Sequence, residues 1–196
     1  MERAFPGCKS AAVKEAPDGA AFEAPVLQHV RGCSHVPENP GHCMVEDTLF
    51  LAMSFVEGIP RGQWAQIVRG QSFTTCVRDL LHQLSGAFAY LHSIAYHRDV
   101  GPHNIQVGGR LGAGKKFTLM NFGCAVRVAD WHCDFECLVG DCHYWCPGAW
   151  LAEGYTFKCL SREENLKYKM QFVHHIEHYA LGVAGLELHF ALCPGL

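Results

Sequence analysis

The chain has 196 residues, 49% of them hydrophobic and 11% aromatic, enough for one sizeable core and too few for two. A formal net charge of -3 and a pI near 6.5, with no run of Lys and Arg, exclude the basic field that nucleic-acid binding needs. Eleven cysteines, an odd number, behind an N-terminus without a signal-peptide apolar stretch predict free thiols in a cytoplasmic or nuclear setting. No stretch approaches the ~18 uninterrupted apolar residues of a membrane span, so no membrane partner is expected.

In chain order, residues 1–19 carry Pro6, Gly7, Pro17 and Gly19 around one strand-like run, Ala11-Ala12-Val13-Lys14. The spacing of Val26, Leu27 and Val30 suits a helix from Glu23, with Pro25 tolerated in its first turn. A turn-rich stretch through Pro37, Asn39, Pro40 and Gly41 precedes the apolar run Leu49 to Met53, a buried strand that ends at Glu57-Gly58. Residues 72–92 repeat apolar side chains at three- and four-residue steps, from Val77 to Leu91, with Ser72 as a candidate cap. Strands are predicted at Ile105–Val107 and Phe117–Met120, joined by the glycine-rich turn 108–114. The charged stretch 161–169 reads as a solvated insertion or surface helix, and an apolar helix is predicted over about Ile176–Phe190. Cys193 stands where a prenylation signal would place it, but Pro194 and Gly195 hold the usually aliphatic positions, so lipidation is not expected.

One segment carries chemistry. In His97-Arg98-Asp99-Val100-Gly101-Pro102-His103-Asn104, an Asp followed five positions later by an Asn can orient a hydroxyl and hold a metal on one loop. It resembles the catalytic loop of the eukaryotic protein-kinase superfamily. The surrounding order is similar too. Phe50-Leu51-Ala52-Met53-Ser54-Phe55-Val56 looks like the last small-lobe strand and hinge, and Met120-Asn121-Phe122-Gly123 resembles Asp-Phe-Gly with Asn for Asp. Residues 140–148 look like the end of an activation segment, with Cys-Pro-Gly for Ala-Pro-Glu. Glu177-His178-Tyr179-Ala180-Leu181-Gly182-Val183 is similar to a large-lobe helix that normally starts with Asp. Ala12-Val13-Lys14 and Glu23 are similar to the strand lysine and its helical Glu partner, at a shorter spacing than the family's.

The resemblance implies an α+β, protein-kinase-like fold, with a truncated small β lobe over 1–56 and a mostly helical large lobe over 57–196 that lacks its last helices. The catalytic loop would be 97–104 and the activation segment 121–148. Asp99, Asn104, Arg98 and His97 would form the catalytic group. Lys14, Glu23, gatekeeper Met53 and the main chain of Ser54 and Val56 would meet ATP, and Asn104 and Asn121 would hold metal.

The departures weaken that chemistry. Asn121 offers Mg²⁺ a neutral carbonyl oxygen where the family has a carboxylate. Gly101 stands where Ser/Thr kinases carry a phosphate-steadying lysine, and no glycine loop precedes Lys14. Glu177 is one methylene longer than the usual Asp, and residues 160–173 read as inserted before it. The expectation is a catalytically impaired pseudokinase acting by nucleotide or protein-partner binding; a weakly active Ser/Thr kinase and a non-functional fragment stay open. A second donor group, His132, Cys133, Cys137, Cys142, His143 and Cys146, has Cys-x3-Cys spacings that do not match the usual zinc knuckle, so zinc is not expected.

Overall fold

The computed structural model describes residues 11–16, 23–39, 41–59, 73–109, 114–131, 139–151 and 161–192, and they form a mixed α and β fold. Strand β1 (Ala11–Ala16) and helix α1 (Glu23–His29) are followed by β2 (Gly41–Val45) and β3 (Thr48–Ser54). Helix α2 (Phe73–Leu91), short β4 (Ala95–Tyr96), β5 (Ile105–Gly108), β6 (Lys116–Leu119) and β7 (Val126–Arg127) come next. The short helix α3 (Pro147–Leu151) and the long α4 (Arg162–Leu192) complete the order.

The first sheet has order β1-β3-β2, all antiparallel. Leu51, Ala52 and Met53 of β3 are buried on both faces, as a central strand's continuous apolar run requires. Edge strand β2 is largely exposed, and Glu46 makes the tight turn into β3 at φ 52°, the positive φ that the twist of a two-residue hairpin favours. This edge strand follows the turn-rich stretch, where the sequence predicts no element; its Met44 and Val45 are more than half exposed, so no alternating pattern marked it.

Helix α1 buries Ala24, Val26 and Leu27, and Val30 just past its end is buried with them, the face its spacing foretold. Helix α2 buries Cys76, Leu80, Leu84, Ala87, Phe88 and Leu91, and α4 answers with Ala180, Leu181, Ala184 and Leu188. All of these except Ala87 join Leu51, Ile105, Phe117 and Leu119 in one core, continuous across the boundary placed at residue 56. Burying a side chain the size of Phe88 is worth about 1.5–3 kcal/mol, so the core ties the sheet to the helices through many such contributions.

Of the two readings left open for residues 161–169, insertion or surface helix, the helix is found: α4 begins at Arg162 and runs unbroken for 31 residues, well before the predicted start at Ile176. Its start is set by a capping box. Glu164 N donates to Ser161 Oγ at 3.3 Å, and Ser161 N donates back to Glu164 Oε2 at 2.9 Å. The candidate cap Ser72, the centre of the turn at 110–113 and residues 193–196 lie outside the described residues. Among the described residues no helix is long and apolar enough to cross a membrane.

Candidate functional site

Lys14 leaves β1 and reaches Glu23 in the first turn of α1, Nζ to Oε2 at 2.7 Å. Glu23 is fully buried, and its other oxygen accepts the Phe122 N–H at 2.9 Å, so one carboxylate joins the sheet, the helix and the segment after β6. Lys14 Nζ also donates to Asn121 Oδ1 at 3.0 Å. Asn121 Nδ2 donates to Asn104 Oδ1 at 3.1 Å, and Asn104 Nδ2 donates to Asp99 Oδ2 at 2.7 Å and to Asp99 O at 2.8 Å. A donor-only ammonium at one end and an acceptor-only carboxylate at the other fix the direction of both amides. Residues spread from position 14 to position 121 thus form one polar chain.

Backbone geometry sets this up. Asn121 sits at φ 60°, a left-handed conformation that Asn tolerates better than most residues. Arg98, at φ 67°, has no such excuse, and a residue held there stores about 1–3 kcal/mol of strain. It is held by its Nε donating to Cys124 O at 2.6 Å, by its N–H donating to Glu177 Oε1 at 3.0 Å, and by its guanidinium lying 6.0 Å from the centre of the Trp131 ring. The kink turns Asp99 inward.

Three donors converge on the Asp99 carboxylate. Oδ1 accepts the Asp141 N–H at 2.8 Å and His103 Nε2 at 3.1 Å, while Oδ2 takes Asn104. Burial by itself would raise this carboxyl; the Asp141 N–H, then His103, then Asn104 outweigh it and hold it below the usual carboxylate range. Gly140, at φ 84°, lets the chain pass this close, since a Cβ there would stand 2.6 Å from both Arg98 O and Asp99 Oδ1. At Gly101, a Cβ would stand 2.6 Å from Cε1 of the His103 ring, so that ring fills the space a longer side chain would use.

His97 supports the loop from below. Its Nε2 donates to Met120 O at 2.9 Å, its Nδ1 accepts the Asp99 N–H at 3.3 Å, and its ring meets Phe122 edge-on at 4.7 Å. Burial pushes its pKa below the ordinary value, against the opposing pull of the Glu177 carboxylate. Glu177 of α4, buried, accepts the N–H groups of both His97 and Arg98 and takes His92 Nε2 at 2.7 Å. Its extra methylene does not prevent that grip.

The chain matches no protein-family model and no curated protein. The site therefore rests on its own chemistry.

Mg²⁺ does not fit the side chains assigned to it. Asn121 Oδ1 accepts from Lys14, Asn104 Oδ1 accepts from Asn121, and neither amide brings the charge a hard cation needs. The residues assigned to ATP divide. Met53 is buried in β3, while Ser54 and Val56 line a cavity of about 600 Å³ with Cys33, Val36, Lys116 and Thr118. Lys14 and Asn121 do not line that cavity, and Ser54 turns its N–H to Glu38 O at 2.7 Å and its Oγ to the Glu38 N–H at 2.9 Å.

Of the cysteine and histidine group, residues 132–138 lie outside the described residues. Asp141, Cys142 and His143 keep their ligand atoms within 4.8 Å of one another, with His143 Nδ1 donating to Asp141 Oδ1 at 2.7 Å, one donor short of a four-coordinate zinc. Hydrogen bonds from His143 hold the Asp141 carboxyl below its ordinary pKa. Cys146 is buried apart from them. All six cysteines among the described residues are free thiols, and burial pushes Cys76 up to about 11.

Sequence reasoning missed three members of the site: His103 as a partner of Asp99, the Gly140-Asp141 backbone over it, and His92 beneath Glu177. Gly140 before Asp141 was a signal for a close backbone approach, and the four-residue step from Asp99 to His103 was another; His92 depends on a contact between distant segments.

Proposed function

We propose that this chain is a protein-kinase-like domain with impaired catalysis, acting by binding a nucleotide or a protein partner. One observation carries the proposal: in the Lys14–Asn121–Asn104–Asp99 chain, each oxygen that metal or a substrate hydroxyl would need already accepts a hydrogen bond. Phosphoryl transfer depends on metal and positioned charge. Here the Lys14 ammonium already bonds Asn121 Oδ1, so a metal at that oxygen would meet a neutral amide beside a fixed positive charge. Lys14 keeps one of its three N–H donors for an anion, which supports a phosphate-bearing ligand held without divalent metal.

A weakly active Ser/Thr kinase remains the second reading, favoured by Asp99 staying ionised and so able to accept a proton.

Thermal shift with ATP, with and without Mg²⁺, together with a radiolabel transfer assay, tests both. The expected result is a metal-independent shift, lost in Lys14→Ala, with no transfer above Asp99→Asn. Mg²⁺-dependent transfer that Asp99→Asn abolishes would replace the proposal with the second reading.

A further inference from the structure

The turn that lies over Asp99 carries a second set of donors. Its backbone is pinned at several points: the Asp141 N–H donates to Asp99 Oδ1 at 2.8 Å, the Tyr144 and Trp145 N–H groups close onto Asp141 O and Cys142 O at 3.0 and 3.1 Å, and Trp145 Nε1 donates to Val139 O at 3.1 Å. On this fixed turn three successive side chains, Asp141, Cys142 and His143, bring a carboxylate oxygen, a thiol sulfur and a ring nitrogen within 4.8 Å of one another. Bonds of about 2.0–2.3 Å to a tetrahedral zinc place such donors roughly 3.3–3.6 Å apart. Side-chain rotation covers the difference, because His143 is 83% and Asp141 33% exposed. Charge fits as well: one thiolate and one carboxylate cancel the two charges of the ion, while sulfur and nitrogen donors disfavour Mg²⁺ and Ca²⁺. Cysteine spacing argues only against a knuckle of paired thiolates. This set needs a single thiolate and takes in Asp141, and Cys146 is buried apart from it.

We propose that Asp141, Cys142 and His143 form a zinc site with three protein ligands and a fourth position open to water. On binding, the Cys142 thiol loses its proton to solvent. His143 Nδ1 gives up its hydrogen bond to Asp141 Oδ1, and the neutral ring carries its proton on Nε2 instead. Asp99 stands behind the site: by accepting the Asp141 N–H it orients the ligating turn, as outer partners orient metal ligands elsewhere, and its negative charge adds to the attraction for a cation. The proposal does not rest on the kinase-like reading, since Asp99 enters it only as a hydrogen-bond acceptor and a fixed charge.

The test takes the full chain, reduced and freed of metal with a chelator, and titrates it with Co²⁺ as a spectroscopic stand-in for zinc. The expected result is a thiolate-to-cobalt charge-transfer band that Zn²⁺ bleaches and excess Mg²⁺ does not. Zn²⁺ should also raise the melting temperature, as any ligand of the folded state does. Cys142→Ser should remove the band, and Asp141→Asn and His143→Ala should each weaken Co²⁺ binding at least about tenfold. His143 is largely exposed, so His143→Ala should leave the melting temperature of the metal-free protein unchanged and separates ligand loss from unfolding. Cys133→Ser and Cys137→Ser are the controls, and both should keep the band. No band, a band that survives Cys142→Ser, undiminished Co²⁺ binding by His143→Ala, or a band lost equally in either control would overturn the proposal.

Discussion

His97 is fully enclosed, hydrogen-bonded as a neutral ring, and sits directly before the strained Arg98. Because its folded pKa lies below the ordinary value of about 6.5, the unfolded chain takes up the proton first as pH falls. Stability from this residue is therefore present above that value and lost as pH drops through it toward the lower folded pKa. His97→Gln, which can still donate to Met120 O, should flatten the fall in melting temperature between roughly pH 7.5 and 5.5. Parallel slopes for the two proteins would show that other groups set the dependence. Asp99 has the opposite chemistry: three donors converge on a carboxylate that stays ionised to low pH. In Asp99→Asn an amide N–H₂ must face one of those donors, so the variant should lose about 1–3 kcal/mol in urea unfolding, whatever happens to ligand binding.

At the scale of elements, the segment after β3 is held against β5 by close backbone approach. Ile59 N donates to Val107 O at 3.1 Å, and a Cβ on Gly108 would stand 2.4 Å from Glu57 O. Gly108→Ala should push that segment off the strand, so the Ile59 amide loses its hydrogen-exchange protection while the amides of α2 keep theirs. Sequence made the larger elements legible for a simple reason. Helices α1 and α2 bury faces whose period is written in the chain, from Val26 and Leu27 to Leu80, Leu84 and Leu91, and β3 shows as a continuous apolar run. The two-residue strands β4 and β7 carry no period, and β2 lies exposed at an edge, so tertiary pairing alone defines them. The capping box at Ser161 and Glu164 was readable but was passed over as charge. Within the site, the loop 97–104 is local and could be read, and His103 four residues from Asp99 belongs to it; the role of Gly140-Asp141 depends on a chain crossing 42 residues after Asp99.

Across the whole molecule, one carboxylate joins the long C-terminal helix to the loop that carries Asp99. Glu177 reaches from α4 to the N–H groups of His97 and Arg98, and to His92 at the end of α2. Glu23 does the equivalent work at the other side, joining β1, α1 and the Phe122 turn. Between these two buried anions lies the whole polar chain, so their reach sets its geometry. That makes side-chain length at position 177 a test of how the halves are fitted. Glu177→Asp keeps the charge but is one methylene short, and the carboxylate cannot span both the loop amides and His92 without α4 moving toward them. Because α4 is fixed by Ala180, Ala184 and Leu188 in the core, the helix should hold and the bonds should lengthen. The expected cost is about 1–3 kcal/mol by chemical denaturation, with the loop amides exchanging faster. Glu177→Gln keeps the length and loses the charge; its N–H₂ must turn toward His92, leaving the oxygen on the loop, so it should retain loop protection better than Glu177→Asp does. The reverse order would mean that charge, not reach, holds the loop to the helix.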